Sequence, residues 1–151
     1  MTHLTVAELL DANGLDLGAS DWRSIRQEDV NQFAVLTGDD QWIHVDALRA
    51  SAGPFGRPVA HGYLLLSLLP LLMRELFELT DKRLSINYGI DRIRFTAPVT
   101  VGSRVRLHAT VAEAHSRGDG VLVRTAVELE LEGSEKPALV GEVLSLVFAQ
   151  A

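Results

Sequence analysis

The run Tyr63 to Met73, YLLLSLLPLLM, constrains this chain more than any other stretch. It is apolar apart from Ser67 and shows no polar face. A helix without a polar stripe is expected to be buried on all sides. Arg74 and Glu75 follow at once, so the run is too short to span a bilayer. It therefore reads as a core helix within Ala60 to Leu79, and the rest of the chain must wrap it. Pro70 removes one backbone hydrogen bond and should bend the helix there. Ser67 has no partner base nearby in sequence and is expected to bond back to a backbone carbonyl.

The wrapping material lies downstream. Leu84, Ile86, Tyr88 and Ile90 share one parity, whereas Ile93 and Phe95 share the other. That phase slip just after Gly89 predicts a bulge. Val105, Leu107, Ala109 and Val111 alternate with Arg104, Arg106, His108 and Thr110, as in a strand wet on one face. Val121, Val123, Val127, Leu129 and Leu131 alternate with Arg124, Glu128 and Glu130. Arg117-Gly118-Asp119-Gly120 between them reads as a hairpin turn. Leu139 to Phe148 is apolar at both parities, which suits a central strand covered on both sides. The layout is α+β, a helix across a curved antiparallel sheet.

The upstream half is less regular. Val6, Leu9 and Leu10 predict a short surface helix over residues 5 to 12, stopped by Gly14. Leu15 to Ser20 reads as a linker and Trp22 to Arg26 as a short strand. Gln27 to Thr37 is helical, with Val30, Phe33, Ala34 and Thr37 on one face. Gly38 sits where a left-handed cap belongs. A loop over Gly38 to Ile43 follows, then one or two helical turns over Asp46 to Ala52. Gly53, Pro54, Gly56 and Pro58 make the approach to the apolar run irregular.

Composition narrows the function. At 151 residues the chain is expected to form one domain over residues 1–151. A net charge of −6 argues against a general nucleic-acid partner. The absence of cysteine removes disulfides, thiolate catalysis and cysteine-ligated metals together. The first residues lack a basic region followed by an apolar run, so a cytoplasmic protein is expected.

Asp39 and His44 stand five apart in the loop after a capped helix. A carboxylate and an imidazole so placed can hold one water between them. The imidazole can take its proton while the acid orients it. The alternative makes Asp39 a turn cap and His44 a packed histidine. Trp42 and Ile43 favour the first reading, because apolar neighbours suit a turn that dips into a dry pocket. Gln41 can donate to a ligand or bridge the loop, and Asp40 faces water. His44 and Asp46 with Asp39 could bind a metal, but no paired-histidine helix pattern accompanies them. His61 and Gly62 open the apolar helix. Glycine there lets a ligand oxygen approach the Gly62 N–H. Alternatively, His61 caps the helix and Gly62 avoids a clash.

Taken together, Phe33-Ala34-Val35-Leu36-Thr37-Gly38-Asp39-Asp40-Gln41-Trp42-Ile43-His44-Val45-Asp46, Gly53-Pro54-Phe55-Gly56 and Pro58-Val59-Ala60-His61-Gly62-Tyr63 resemble the MaoC-like (R)-specific enoyl-CoA hydratases of the hot-dog superfamily, in its NodN-like branch. Asn87-Tyr88-Gly89, Arg94-Phe95, Pro98-Val99 and Gly102-Ser103 fit as well. The resemblance implies a hot-dog fold, a long central helix wrapped by about five antiparallel strands. It implies a homodimer with an acyl-CoA site near the subunit interface, and neither metal nor cofactor. The family's catalytic pair falls on Asp39 and His44 and its oxyanion N–H on Gly62. His61, Gln41 and Trp42 are expected beside the substrate. Many hydratases carry Asn-Pro where this chain has Gln41-Trp42, a departure that bears on the acyl pocket. The implied reaction adds water to a trans-2-enoyl-CoA to give an (R)-3-hydroxyacyl-CoA. Two further readings stay open: a hot-dog thioesterase, a class that generally carries its carboxylate on the central helix, where this chain has only Glu75 and Glu78 towards the far end, and a non-catalytic acyl-binding protein.

Overall fold

A computed structural model describes residues 1–150. The first half holds β1 (Thr2–Leu4), a 3-10 turn (Glu8–Asp11), β2 (Asp16–Ala19), β3 (Arg23–Ser24), α1 (Gln27–Thr37), α2 (Trp42–Val45) and α3 (Ala47–Ser51). Then come α4 (Gly62–Met73), β4 (Phe77–Leu79), β5 (Lys82–Phe95), β6 (Arg104–Arg117), β7 (Gly120–Leu131) and β8 (Leu139–Ala149). The main sheet has six strands in the order β2-β6-β7-β8-β5, with the short β3 also paired to β6. All its pairings are antiparallel. α4 packs on it through β6 and β8.

The alternating strands form as expected. Val105, Leu107, Ala109 and Val111 point into the core. On the opposite parity Arg106 is paired to Glu130 at 2.8 Å, and Arg104 to Glu132. Gly118 and Asp119 close the two-residue hairpin between Arg117 and Gly120, with Gly118 left-handed at φ 57°. β5 slips register three times against β8, between Lys82 and Leu84, between Asn87 and Gly89, and between Asp91 and Arg94. The last slip holds Arg92 in the left-handed region at φ 52°, where its guanidinium meets Glu142 at 3.0 Å. Hydrogen bonds from Arg92 and then Arg124 hold the Glu142 carboxyl below the usual carboxylate range.

α1 spans the expected residues, and Gly38 ends it at φ 77° with its N–H on the Ala34 carbonyl. At its start Asp29 takes hydrogen bonds from the Arg26 guanidinium, which lowers its pKa. Val30 and Ala34 are buried and Phe33 packs beside them. The fourth expected face residue, Thr37, is exposed and returns its hydroxyl to the Phe33 carbonyl.

Four expectations are corrected. α4 is not buried on all sides. Leu64, Leu65, Leu69 and Leu72 face the core, whereas Tyr63, Ser67, Pro70 and Leu71 form an exposed stripe, with Tyr63 67 % accessible. The sheet reaches only the inner half of the helix. Leu15 to Ser20 is not a linker. Asp16–Ala19 is a sheet strand, because the β6 edge supplies partners that a local reading cannot see. The Ser20 backbone N–H bonds the Leu107 carbonyl and its hydroxyl accepts from the Leu107 N–H. Residues 5–12 make a turn and a 3-10 segment, tethered by the Val6 N–H on the Asp81 carboxylate. β8 lies inside the sheet order, yet Val140 to Leu146 are only half-buried. Ser67 behaves as expected, donating to the Tyr63 carbonyl at 2.7 Å. The helix continues through Pro70 to Met73. No helix among the described residues is long and apolar enough to cross a membrane.

Leu72 is wholly buried between helix and sheet. Leu72→Ala is expected to lower the unfolding free energy by about 2–5 kcal/mol, read from chemical denaturation. A loss below about 1 kcal/mol would contradict this placement of the core.

Candidate active site

The site is built where α1 ends. Gly38 turns the chain out of the helix, and Asp39, Asp40 and Gln41 form an exposed loop. Gln41 then starts α2, its carbonyl accepting the His44 N–H at 2.9 Å. That short helix carries His44 inward, to 7 % exposure. The Gln27 amide, one α1-length upstream, donates to the His44 carbonyl at 2.8 Å and ties the two helices. Asp46 ends α2 and begins α3, its carboxylate accepting the Arg49 N–H at 2.9 Å.

Three residues of extended chain receive His44. The Val59 N–H bonds the Ile43 carbonyl at 2.9 Å, and Val59 itself bridges to Thr100. Pro58 and Ala60 on either side pair with Val101 and Val99. His44 Nδ1 lies 2.6 Å from the Val59 carbonyl. A carbonyl only accepts, so the proton sits on Nδ1 and the Nε2 lone pair is left free.

His61 follows in the same extended segment, as the N-cap of α4. Its ring is 2 % exposed and stacks on His44, centroids 3.8 Å apart and planes 25° apart. Its Nε2 lies 2.8 Å from the Asp39 backbone carbonyl, so that nitrogen donates. Its Nδ1 is buried without a hydrogen-bond partner among the described residues. A carboxylate oxygen of Asp39 and one nitrogen each of His44 and His61 all lie within 4.8 Å of one another. Of the expected site residues, the structure thus brings Asp39, His44 and His61 together and sets Gly62 next in the chain.

Gly62 opens α4, and no side chain caps that end. The first N–H groups of a helix have no partner within it, so they are available to an anion or a developing oxyanion. The reason for glycine is visible. An added Cβ would lie 2.8 Å from the Phe95 ring, which also meets Tyr63 edge-on at 6.1 Å. Trp42 is taken up by packing. Its indole lies against Gly53, where a Cβ would come to 2.9 Å, and beneath the Arg49 guanidinium at 4.5 Å. Gln41 is exposed and contributes its carbonyl to the turn.

The Asp39–His44–His61 set has the chemical make-up of a metal site, with its ligand atoms within 4.8 Å of one another. One nitrogen of each ring is committed to a carbonyl. The two rings stack with centroids 3.8 Å apart. The same set suits hydrogen bonding and proton transfer. The thioesterase reading loses its carboxylate. α4 ends at Met73, and Glu75 beyond it accepts the Asp21 N–H at 2.9 Å. Sequence reasoning missed the Val59 carbonyl, a backbone group with no sequence signal. It also missed Phe95, whose side chain arrives from a distant strand.

Comparison with known proteins points to one family. A family model described as a MaoC-like domain matches residues 10–132. The chain is 49% identical over 142 residues to 3-hydroxyacyl-thioester dehydratase Z of Mycobacterium tuberculosis, covering 93% of this chain and 94% of that protein. It is 37% identical over 150 residues to nodulation protein N of Rhizobium leguminosarum, covering 97% and 93%. An unliganded R-hydratase from Pseudomonas aeruginosa superposes with a TM-score of 0.75 at 25% identity, over 91% of this chain and 83% of that one. An (R)-hydratase from A. caviae gives 0.71 at 26% identity, over 88% and 94%.

Gly62→Ala is expected to cost about 1–3 kcal/mol of stability, since the methyl must displace the Phe95 ring. The same substitution beside Phe95→Ala should cost clearly less. Equal costs in the two backgrounds, measured by denaturation, would show that Phe95 does not explain the glycine.

Proposed function

The chain belongs to the MaoC-like domain family, and we infer that it is a hydro-lyase, an (R)-specific enoyl-thioester hydratase and 3-hydroxyacyl-thioester dehydratase acting on acyl-CoA. The observation that carries this reading is the convergence of the Asp39 carboxylate and the His44 imidazole within 4.8 Å, next to the uncapped start of α4. A bound trans-2-enoyl thioester places its carbonyl oxygen on the Gly62 N–H. Water sits between Asp39 and His44. His44 Nε2 takes one proton from that water as its oxygen bonds to C3. Asp39 orients the water. The electron pair of the alkene moves toward the thioester, whose oxygen gains negative charge against the Gly62 N–H and the helix dipole. The proton held on His44 then passes to C2, which restores the neutral imidazole and gives the (R)-3-hydroxyacyl thioester, and the reverse sequence is dehydration. The thioester polarises the alkene itself, so no cofactor enters any step.

Asp39→Asn and His44→Gln are each expected to lower turnover of crotonyl-CoA about 100- to 10,000-fold, followed by loss of enoyl-thioester absorbance. Wild-type rates in both variants would end this assignment of roles.

The assembly proposed is a homodimer working in the cytoplasm. β5 lies at one end of the sheet order, and its free edge carries exposed Leu84, Ile86, Tyr88 and Ile90. The apolar stripe of α4 is open as well. Long apolar edge strands invite pairing, and two copies joined through β5 would cover both surfaces. Wild-type protein should sediment as a dimer at micromolar concentration, and Ile86→Asp with Ile90→Asp should shift it toward monomer. A wild-type monomer would contradict the pairing.

A further inference from the structure

His61 makes a set of contacts that neither substrate binding nor plain core packing accounts for. Its ring is shut away from solvent, which removes it from the surface a thioester would meet. The Nε2–H group reaches back 22 positions in the chain to the Asp39 carbonyl, at 2.8 Å. One ring face lies on His44 at 3.8 Å, and Phe33 leans on the residue with centroids 5.0 Å apart. The next residue is Gly62. A histidine that only fills the core would have both nitrogens satisfied, or would be replaced at less cost by leucine. Here Nδ1 is buried with no partner among the described residues, and an unmade bond of that kind carries a desolvation penalty. The position retains a residue that pays this cost while linking three parts of the site.

We propose that His61 is a positioning residue. It clamps the Asp39 backbone through Nε2–H and braces the His44 ring by stacking, so that the carboxylate, the imidazole and the Gly62 N–H are held in one register. The proposal rests on the hydration reading of the same site. Histidine is the side chain that supplies both contacts. Phenylalanine keeps a flat ring and lacks the donor. Glutamine keeps a donor at nearly the same reach and lacks the ring. Displacing a reacting group by about 1 Å can cost on the order of 100-fold in rate, so a clamp on both groups has a large effect without touching substrate.

The test uses the full chain with His61→Phe, His61→Gln, Asp39→Asn and the double variant Asp39→Asn with His61→Phe, each checked for folding by thermal unfolding. His61→Phe should lower kcat on crotonyl-CoA about 10- to 100-fold with KM little changed, and His61→Gln should retain part of the loss. In the Asp39→Asn background the same Phe substitution should cost less than about threefold, because its effect acts through Asp39. Equal losses in both backgrounds, or wild-type kcat in His61→Phe, would overturn the clamp. If the variants do not fold, the ring-nitrogen spectrum of wild-type protein decides. The clamp requires the proton on Nε2 in His61 and on Nδ1 in His44, and a proton on His61 Nδ1 alone would refute it. Wild-type protein that hydrates no enoyl thioester would sink the reaction, and that same spectrum would still judge the clamp.

Discussion

The site hangs from three residues of extended chain, Pro58 to Ala60. Their pairing with Val99 to Val101 fixes the point at which the chain enters α4. Val59 is used on every side. Its N–H holds Ile43, its carbonyl holds the His44 ring, and its bridge to Thr100 anchors both to the strand segment after β5. Because backbone groups make these bonds, they are short and cannot swing as long side chains can. The imidazole tautomer is therefore set by main-chain geometry, and the Nε2 lone pair is left free as a consequence. Loss of the 58–60 pairing would release the histidines and the helix start together.

Charge is kept out of this framework and placed around it. The sheet's wet face carries Arg104 with Glu132, Arg106 with Glu130 beneath Trp22, and Arg124 between Asp91 and Glu142. These pairs are partly or largely exposed, so each contributes little to stability. Their main effect is to keep one face polar and so give the sheet a single face to bury. The opposite problem arises on β5, where both the strand edge and its apolar side chains lie open. The greasy residues that part of the chain does not bury there match the stripe of α4 that the sheet does not reach. Both deficits have the same source, which is a sheet that curls around only half of its helix.

Much of the fold was legible because its long elements obey simple periods. The alternation in β6 and β7, the β5 phase slip after Gly89 and the Gly38 cap of α1 are local signals, and the structure contains each of them. Leu15 to Ser20, which contains β2, reads locally as a linker. What makes it a strand is the β6 edge, some ninety residues away in the chain. α4 misled for a different reason. Hydrophobicity on all sides reports that water is excluded, but does not say whether the cover comes from the same chain. At the site, residue types made Asp39, His44, His61 and Gly62 candidates beside Gln41 and Trp42, and the family resemblance assigned their roles. The contacts that organise them run through two backbone carbonyls and an aromatic ring from β5, and none of these leaves a trace in local sequence.

The two central side chains differ in how they meet solvent, and this difference bears on catalysis. His44 is nearly sealed, held between Val59 and His61, whereas Asp39 stands on an exposed loop. An open carboxylate is well hydrated and a poor organiser of a single water, because bulk solvent competes for its oxygens. Its backbone is nevertheless fixed at the carbonyl by His61. The loop can therefore present the carboxylate in a constant direction before anything covers it. In the proposed reaction, an acyl thioester filling the space in front of Gly62 would displace the competing water and leave the retained molecule with two partners in place. Order is built into the backbone in advance, and dryness arrives with the substrate. The free protein therefore needs no deep closed pocket, only a preset pair of groups that binding completes.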